Sequence, residues 1–238
     1  MYAQPTARNN TLVDVVLPRR GLLADAALVI GFAFFTAVAA QVSLTPPNWY
    51  ADLFGMVGIP IAGTPVPITG QTLAVLLTGA ALGSNRAVLS MLLYMSMGMI
   101  GLPVYAGAIA SITSGEAAFG ATNGAFWSQT PFWSLASGGY IVGFIAAGYI
   151  VGRMAERGWD RLVWRTMIAI LVGNVIIYLF GLPWLYMVLS KIPSLQMDLG
   201  KTLAFGLWPF IPGDIIKLLI VAGFFPGAWE LVRRVRGE

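Results

Sequence analysis

The sequence predicts an all-α membrane protein of six transmembrane helices, with both termini in the cytoplasm and a ligand pocket at the extracytoplasmic face. Three observations carry this expectation. Of 238 residues, 58% are hydrophobic and only 10% charged, with a mean hydropathy of +0.78, whereas a soluble domain keeps about a quarter of its residues charged. The apolar residues fall in runs close to the ~20 residues that cross ~30 Å of hydrocarbon. The arginines gather beside alternate ends of those runs, which is the bias that orients membrane helices.

Proline, glycine and charge separate the runs Gly21 to Leu44, Ile68 to Gly83, Ala87 to Leu102, Gly138 to Met154, Val163 to Leu189 and Phe205 to Val232. The first is preceded by Arg8, Arg19 and Arg20. Its Arg19-Arg20 pair and "AVA" at Ala37 to Ala39 also fit a signal peptide, but Asp25 interrupts the apolar region, and removing this span puts Arg86 on the wrong side. A retained first helix is expected. On it, Ala26, Ala33, Ala37 and Ala40 form one smooth face, which fits either packing within the chain or docking of a partner subunit. The second and third runs are short, roughly 16 residues, and a short helix with irregular backbone at its end usually lines a cavity. Gly79/Gly83 and Gly148/Gly152 repeat the small-residue spacing, where packing within the chain is favoured.

Arg86 lies between the second and third runs, Arg153, Arg157, Arg161 and Arg165 around the junction of the fourth and fifth, and Arg233, Arg234 and Arg236 after the sixth. All belong on the cytoplasmic side, and only Lys191 and Lys201 fall on the other. Residues 1–20 are thus a cytoplasmic segment, 21–232 the six-helix domain and 233–238 a basic cytoplasmic tail. The net charge of +4 and pI near 9.6 are topology signals; nucleic-acid binding needs the cations gathered on one folded surface.

The chain has neither cysteine nor histidine, which removes thiol chemistry, most transition-metal sites and imidazole catalysis. No catalytic residue, metal ligand or cofactor is expected, and the chain is not expected to be an enzyme. It also lacks a G-x-x-x-x-G-K-[ST] loop, so uphill transport needs an energy source on another polypeptide.

The segments "PVPITGQTL", "GLPVYAG", "SGGYIVGF" and "PFIPGD" all converge on the outer mouth of the bundle. They carry Gln71, Tyr105, Tyr140, Asp214 and Lys217 at the adjoining helix ends, as a ligand pocket does. Asp214 and Lys217, three apart on one helical face, also fit a plainer reading, a helix cap with a lysine snorkelling to the interface. Against it, a cation in the membrane costs about 2.5 to 3.5 kcal/mol on insertion scales, and a lysine opposes the dipole at a helix N-terminus. Asn174 and Tyr178, one turn apart, read as interhelical contacts.

Together "AVAAQVSL", "PVPITGQTLAVLLTGAALGSNRAVLSMLLYMSMGMIGLPVYAG", "GGYIVGFIAAGYIVG" and "GLWPFIPGDIIKLLIVA" resemble the BioY family, the biotin-specific substrate-capture subunits (S-components) of energy-coupling factor (ECF) vitamin transporters. The chain departs from the family pattern at Gly70, at "LASGGY", and in two long loops, Pro46 to Thr64 and Ile109 to Ala136. Trp49, Tyr50, Phe54, Trp127 and Trp133 in those loops are lids or interface anchors. The resemblance implies biotin as ligand, in a bacterial cytoplasmic membrane. It implies as partners a transmembrane coupling subunit and two ATPase subunits, with docking on the first helix at Ala33 and Ala37. Asp214 can then accept from the ureido N–H groups, Gln71 donate and accept, Lys217 meet the carboxylate, and Tyr105 or Tyr140 add a hydroxyl. The alternatives are an ion-coupled secondary transporter of a small carboxylated metabolite, an S-component for another vitamin, and a membrane-embedded enzyme. An ion-coupled carrier usually shows internal repeats and none is found, and an embedded enzyme would want paired carboxylates, histidine or metal ligands in one cavity, where only Asp214 and Lys217 are ionisable.

Overall fold

The computed structural model describes residues 11–17, 21–42, 66–106 and 132–237. The helices among these are α1 (Leu12–Val16), α2 (Leu22–Gln41), α3 (Gln71–Leu82), α4 (Ser84–Met99), α5 (Gly138–Glu156), α6 (Val163–Leu189), α7 (Leu199–Gly206) and α8 (Ile211–Arg236). Four of them, α2, α5, α6 and α8, are long and apolar enough to cross a membrane. Their outward faces are apolar: Phe34, Phe35 and Val38 on α2, Leu171, Val175 and Leu179 on α6, and Ile216, Leu219 and Ile220 on α8 are all exposed. Patches of that extent suit a lipid environment rather than water.

Helix α5 occupies the middle, packed on α3, α4 and α6, while α8 lies on α6 and α3 and α2 on α3 and α4. Glycine makes the close approaches. A Cβ at Gly79 would sit 3.0 Å from the Gly148 carbonyl, and one at Gly152 would strike the Gly83–Ser84 backbone. Both glycines therefore pack within the chain, as expected of their spacing. The 12-residue α3 is only about 18 Å long at 1.5 Å per residue. It stops because Gly83 (φ +81°, ψ 176°) turns the chain straight into α4. Glu156 Oε1 fixes that turn by accepting from Ser84 N at 2.7 Å and Ser84 Oγ at 2.8 Å.

Most helix ends shift by a few residues from the sequence expectation, α8 running on to Arg236 through the segment expected as the tail, and three differences shape the bundle. The third helix begins at Ser84 rather than Ala87, because one glycine suffices for the turn. The run read as a single sixth helix from Phe205 is broken: α7 ends at Gly206 and α8 starts at Ile211. Pro209 explains the break, since a proline biases the residue before it away from helical geometry. Finally, the N-terminal segment contains a helix of its own. Thr11 and Asp14 cap α1 reciprocally, and Leu12 is buried in the core. Arg86 ties it down, reaching Asp14 at 2.7 Å and Asp25 of α2 at 3.2 Å, so Asp25 has a partner inside the chain.

The smooth face of α2 turns inward. Ala33, Thr36, Ala37 and Ala40 are buried against the bundle, while Ala26 is exposed. This is the packing reading of the alanine pattern. Ala33 and Ala37, expected as partner-docking positions, have no surface to offer in this arrangement, because small residues let α2 seat closely on α3 and α4.

Between α5 and α6, in the turn Trp159–Arg161, Asp160 is buried, with Oδ1 lacking a hydrogen-bond partner among the described residues. Burial pushes its carboxyl up to about 6, opposed in part by the Trp229 indole N–H and the charge of Arg161. A folded-state value above the ordinary ~3.9 means that the stability this group contributes is full below that ordinary value and is lost as pH rises through about 6. The loss is about 3 kcal/mol. Asp160→Asn keeps an acceptor for Trp229 and removes the charge. Its thermal unfolding in detergent is expected at higher temperature than wild type at pH 8, and by a margin about half as large at pH 5. Equal midpoints at both values would refute this account.

Candidate functional site

The first turns of α3, α5 and α8 meet the middle of α6 around a cavity of about 40 Å³. It lies at the end of α3 and α5 away from Gly83 and Glu156, hence away from Arg86 and Arg153. Thr69, Gln71, Thr72, Asn174, Tyr178 and Lys217 give it polar walls; Tyr140, Ile141, Phe144, Ile177 and Phe210 give it apolar ones. The mixture suits a small amphiphilic molecule. Drug-sized ligands occupy pockets of roughly 300 Å³ or more, so a ligand enters only as these side chains draw apart.

Lys217 is the central feature. Its ammonium is buried, donates to Thr72 Oγ1 at 2.7 Å and pairs with Asp214 Oδ1 at 3.4 Å. Among the described residues these two acceptors meet two of its three N–H groups, leaving one donor on a side chain that lines the cavity. Asp214 stands behind it, accepting from the Tyr178 hydroxyl through its other oxygen. No side chain caps α8, and Asp214 sits in its first turn with its backbone N–H bonded to the Phe210 carbonyl at 2.8 Å. The cap-and-snorkel reading therefore does not describe this pair: the carboxylate caps nothing, and the lysine head stays inside the protein.

Gln71 lines the cavity, donating from Nε2 to the Tyr94 hydroxyl at 2.6 Å and accepting at Oε1 from Thr69 at 2.9 Å. Tyr140 lends its ring as a wall, because its hydroxyl is already given to the Gly206 carbonyl at 2.8 Å. That bond ties α5 to the end of α7. Tyr105 does not line the cavity; its ring packs onto Gly98, where any Cβ would collide, and its hydroxyl donates to the Met95 carbonyl at 2.8 Å.

Thr72, Phe144, Asn174 and Tyr178 line the cavity without having been assigned to it from sequence. Of the two read as interhelical contacts, Tyr178 is both that and cavity wall, since it links α6 to Asp214 on α8, while Asn174 lines the cavity. The long outer loops, with Trp49, Tyr50, Phe54 and Trp127, lie outside the described residues. Trp133, within them, is exposed in the turn Phe132–Ser134.

A helical bundle with apolar outer faces, closing a polar cavity around a buried Lys–Asp pair, defines an integral membrane protein built to hold a small molecule. Comparison with known proteins gives the family. The BioY family profile matches residues 9–234, and the chain belongs to that family. It is 31% identical to the biotin transporter BioY of Rhizobium etli, over 80% of this chain and 86% of that one. It is also 31% identical to the probable biotin transporter BioY of Pyrococcus horikoshii, over 81% and 88%. In fold it is similar to the crystal structure of the S-component for biotin from an ECF-type ABC transporter. The TM-score is 0.56, with 21% identity over 91% of this chain and 92% of that one.

Proposed function

We infer that this chain captures biotin and serves in its uptake across the membrane, as a transport protein and not an enzyme. Family membership supports the vitamin, and one observation in the site supports the mode of binding: a buried lysine facing the cavity with a donor to spare. Such a group suits a carboxylate, and the apolar walls suit the fused rings and the valerate chain of biotin. Gln71 and Tyr178 supply further polar contacts; Asp214 acts through Lys217 and Tyr178 unless the pocket opens far enough for the ligand to reach it.

The finer topology remains our proposal. Six helices cross the bacterial cytoplasmic membrane, with the short α3 and α4 completing the set and both termini in the cytoplasm. Support comes from the arginines at the ends of α5 and α8 and at the start of α4, opposite the cavity. The cavity then faces outward, where the vitamin arrives. The proposed partners are an ECF transmembrane coupling subunit and two ATPase subunits, because the chain carries no nucleotide loop of its own. Membrane lipid surrounds it, and no nucleic acid is involved.

Purified protein titrated with biotin by calorimetry tests the first claim. Saturable one-to-one binding is expected, and biotin at 100 times Kd should stabilise the fold by about 2.7 kcal/mol. Absence of saturable binding would sink the reading. In cells, uptake of labelled biotin should fall when ATP is depleted and survive collapse of the ion gradients. The opposite pattern favours an ion-coupled carrier.

A further inference from the structure

We propose that Tyr94 is a positioning residue for the ligand site. From outside the cavity it fixes which way round the Gln71 amide is held, and so sets the discrimination between ligands that donate and ligands that accept there. The inference rests on the cavity being the biotin pocket. Tyr94 is fully buried on α4 and is not among the residues lining the cavity.

The argument is one of hydrogen-bond direction. The Tyr94 hydroxyl has one hydrogen and two partners, Gln71 Nε2 at 2.6 Å and the Val104 carbonyl at 3.2 Å. A carbonyl oxygen only accepts, so the hydrogen goes to Val104 and the hydroxyl oxygen must accept from Gln71. The NH₂ end of the amide is thereby held at Tyr94. Its carbonyl end falls to the Thr69 hydroxyl, which donates to Oε1 at 2.9 Å. Without this constraint an amide sits either way round, since its two ends are nearly the same size.

The far end of the chain is anchored too. Gln41 of α2 donates to the Val104 carbonyl at 3.3 Å and to the Tyr105 carbonyl at 3.0 Å. The donors therefore run from Thr69 through Gln71 and Tyr94 to the Val104 carbonyl, and Gln41 at the end of α2 holds that same carbonyl from the other side. Gln71 is left with one N–H and one lone pair in a set arrangement. A ligand that presents the wrong partner leaves a buried polar group unmet, which is how such sites reject analogues.

Tyr94→Phe removes the hydroxyl and keeps the ring, which packs edge-on against Tyr105 at 5.7 Å. Three probes separate the ends of the ligand: biotin, 2-iminobiotin, in which an N–H group replaces the ureido oxygen, and biotin amide, which lacks the carboxylate. With the amide free to turn, the Kd ratio of at least one analogue to biotin is expected to fall by about threefold to tenfold, the worth of one hydrogen bond. Adding Tyr94→Phe to Gln71→Leu should change neither ratio further, because the two act as one unit. Thr69→Val, which removes the other orienting hydroxyl, should move the same ratio in the same direction, and it carries the test alone if Tyr94→Phe yields no folded protein. The proposal is overturned if all three Kd values shift by one common factor, or if Tyr94→Phe changes a ratio equally with and without Gln71. Wild-type protein that binds none of the probes overturns the pocket reading, and this inference with it.

Discussion

Lys217→Met is expected to weaken biotin binding by about 1.5 to 3 kcal/mol, roughly a tenfold to hundredfold rise in Kd. Methionine keeps the unbranched apolar stem and removes the charge, so the cavity keeps its shape and loses the one buried cation on its wall. Loss of affinity alone would not identify the group, because the substitution also strips Asp214 of its counter-charge at 3.4 Å. The discriminating probe is biotin amide. Wild type should bind it less well than biotin, and Lys217→Met should bind the two nearly equally, since the residue that told them apart is gone. A variant that folds, binds biotin as wild type does and keeps its preference over the amide would show that Lys217 serves only as an internal counter-ion.

Lys217 was legible from sequence because a lysine in an apolar run is costly and demands a reason; Gln71 and Tyr140 stood out in the same way. Thr72 and Asn174 did not. Threonine and asparagine occur in membrane helices simply to bond neighbouring helices, and nothing local distinguishes those that do so beside a cavity. Tyr105 misdirected for the opposite reason. It sits in a segment that does reach this end of the bundle, but Gly98, seven residues earlier at the end of α4, opens a slot that takes its ring away from the cavity. Such a contact depends on where α4 and the 101–106 segment come to lie, which hydropathy does not encode.

The helices themselves were largely legible, since the match between an apolar run and a bilayer is local. What hydropathy did not reveal were breaks within continuous apolar sequence. The Leu207–Phe210 interruption changes the backbone without changing polarity, whereas the break at Gly83 was marked by the glycine and by Arg86. The alanine face of α2 carried a different ambiguity. A smooth face specifies close approach but not the approaching partner, and only the fold shows α3 and α4 occupying it. The Arg86 cluster with Asp14 and Asp25 was visible only as three separate charges, one of them read as a sign of topology.

Asp214→Ala is expected to have the largest effect on stability. Both members of the pair are buried, and removing one partner of a buried ion pair typically costs about 3 to 5 kcal/mol, because the remaining charge is left without compensation. Here Lys217 would keep only Thr72 at 2.7 Å, and the Tyr178 hydroxyl would lose its acceptor as well. Adding Lys217→Met removes the stranded charge, so the double variant should unfold at a higher temperature than Asp214→Ala alone. The ligand supplies a second, independent check. A carboxylate entering beside Lys217 replaces the missing counter-charge, so biotin should raise the unfolding temperature of Asp214→Ala by more than it raises that of wild type. Biotin amide, which brings no charge, should not. If the double variant is no more stable than Asp214→Ala, the cost lies in packing or in Tyr178 rather than in the stranded ammonium. If biotin and its amide protect Asp214→Ala equally, the ligand carboxylate does not reach Lys217, and the orientation proposed for biotin is wrong.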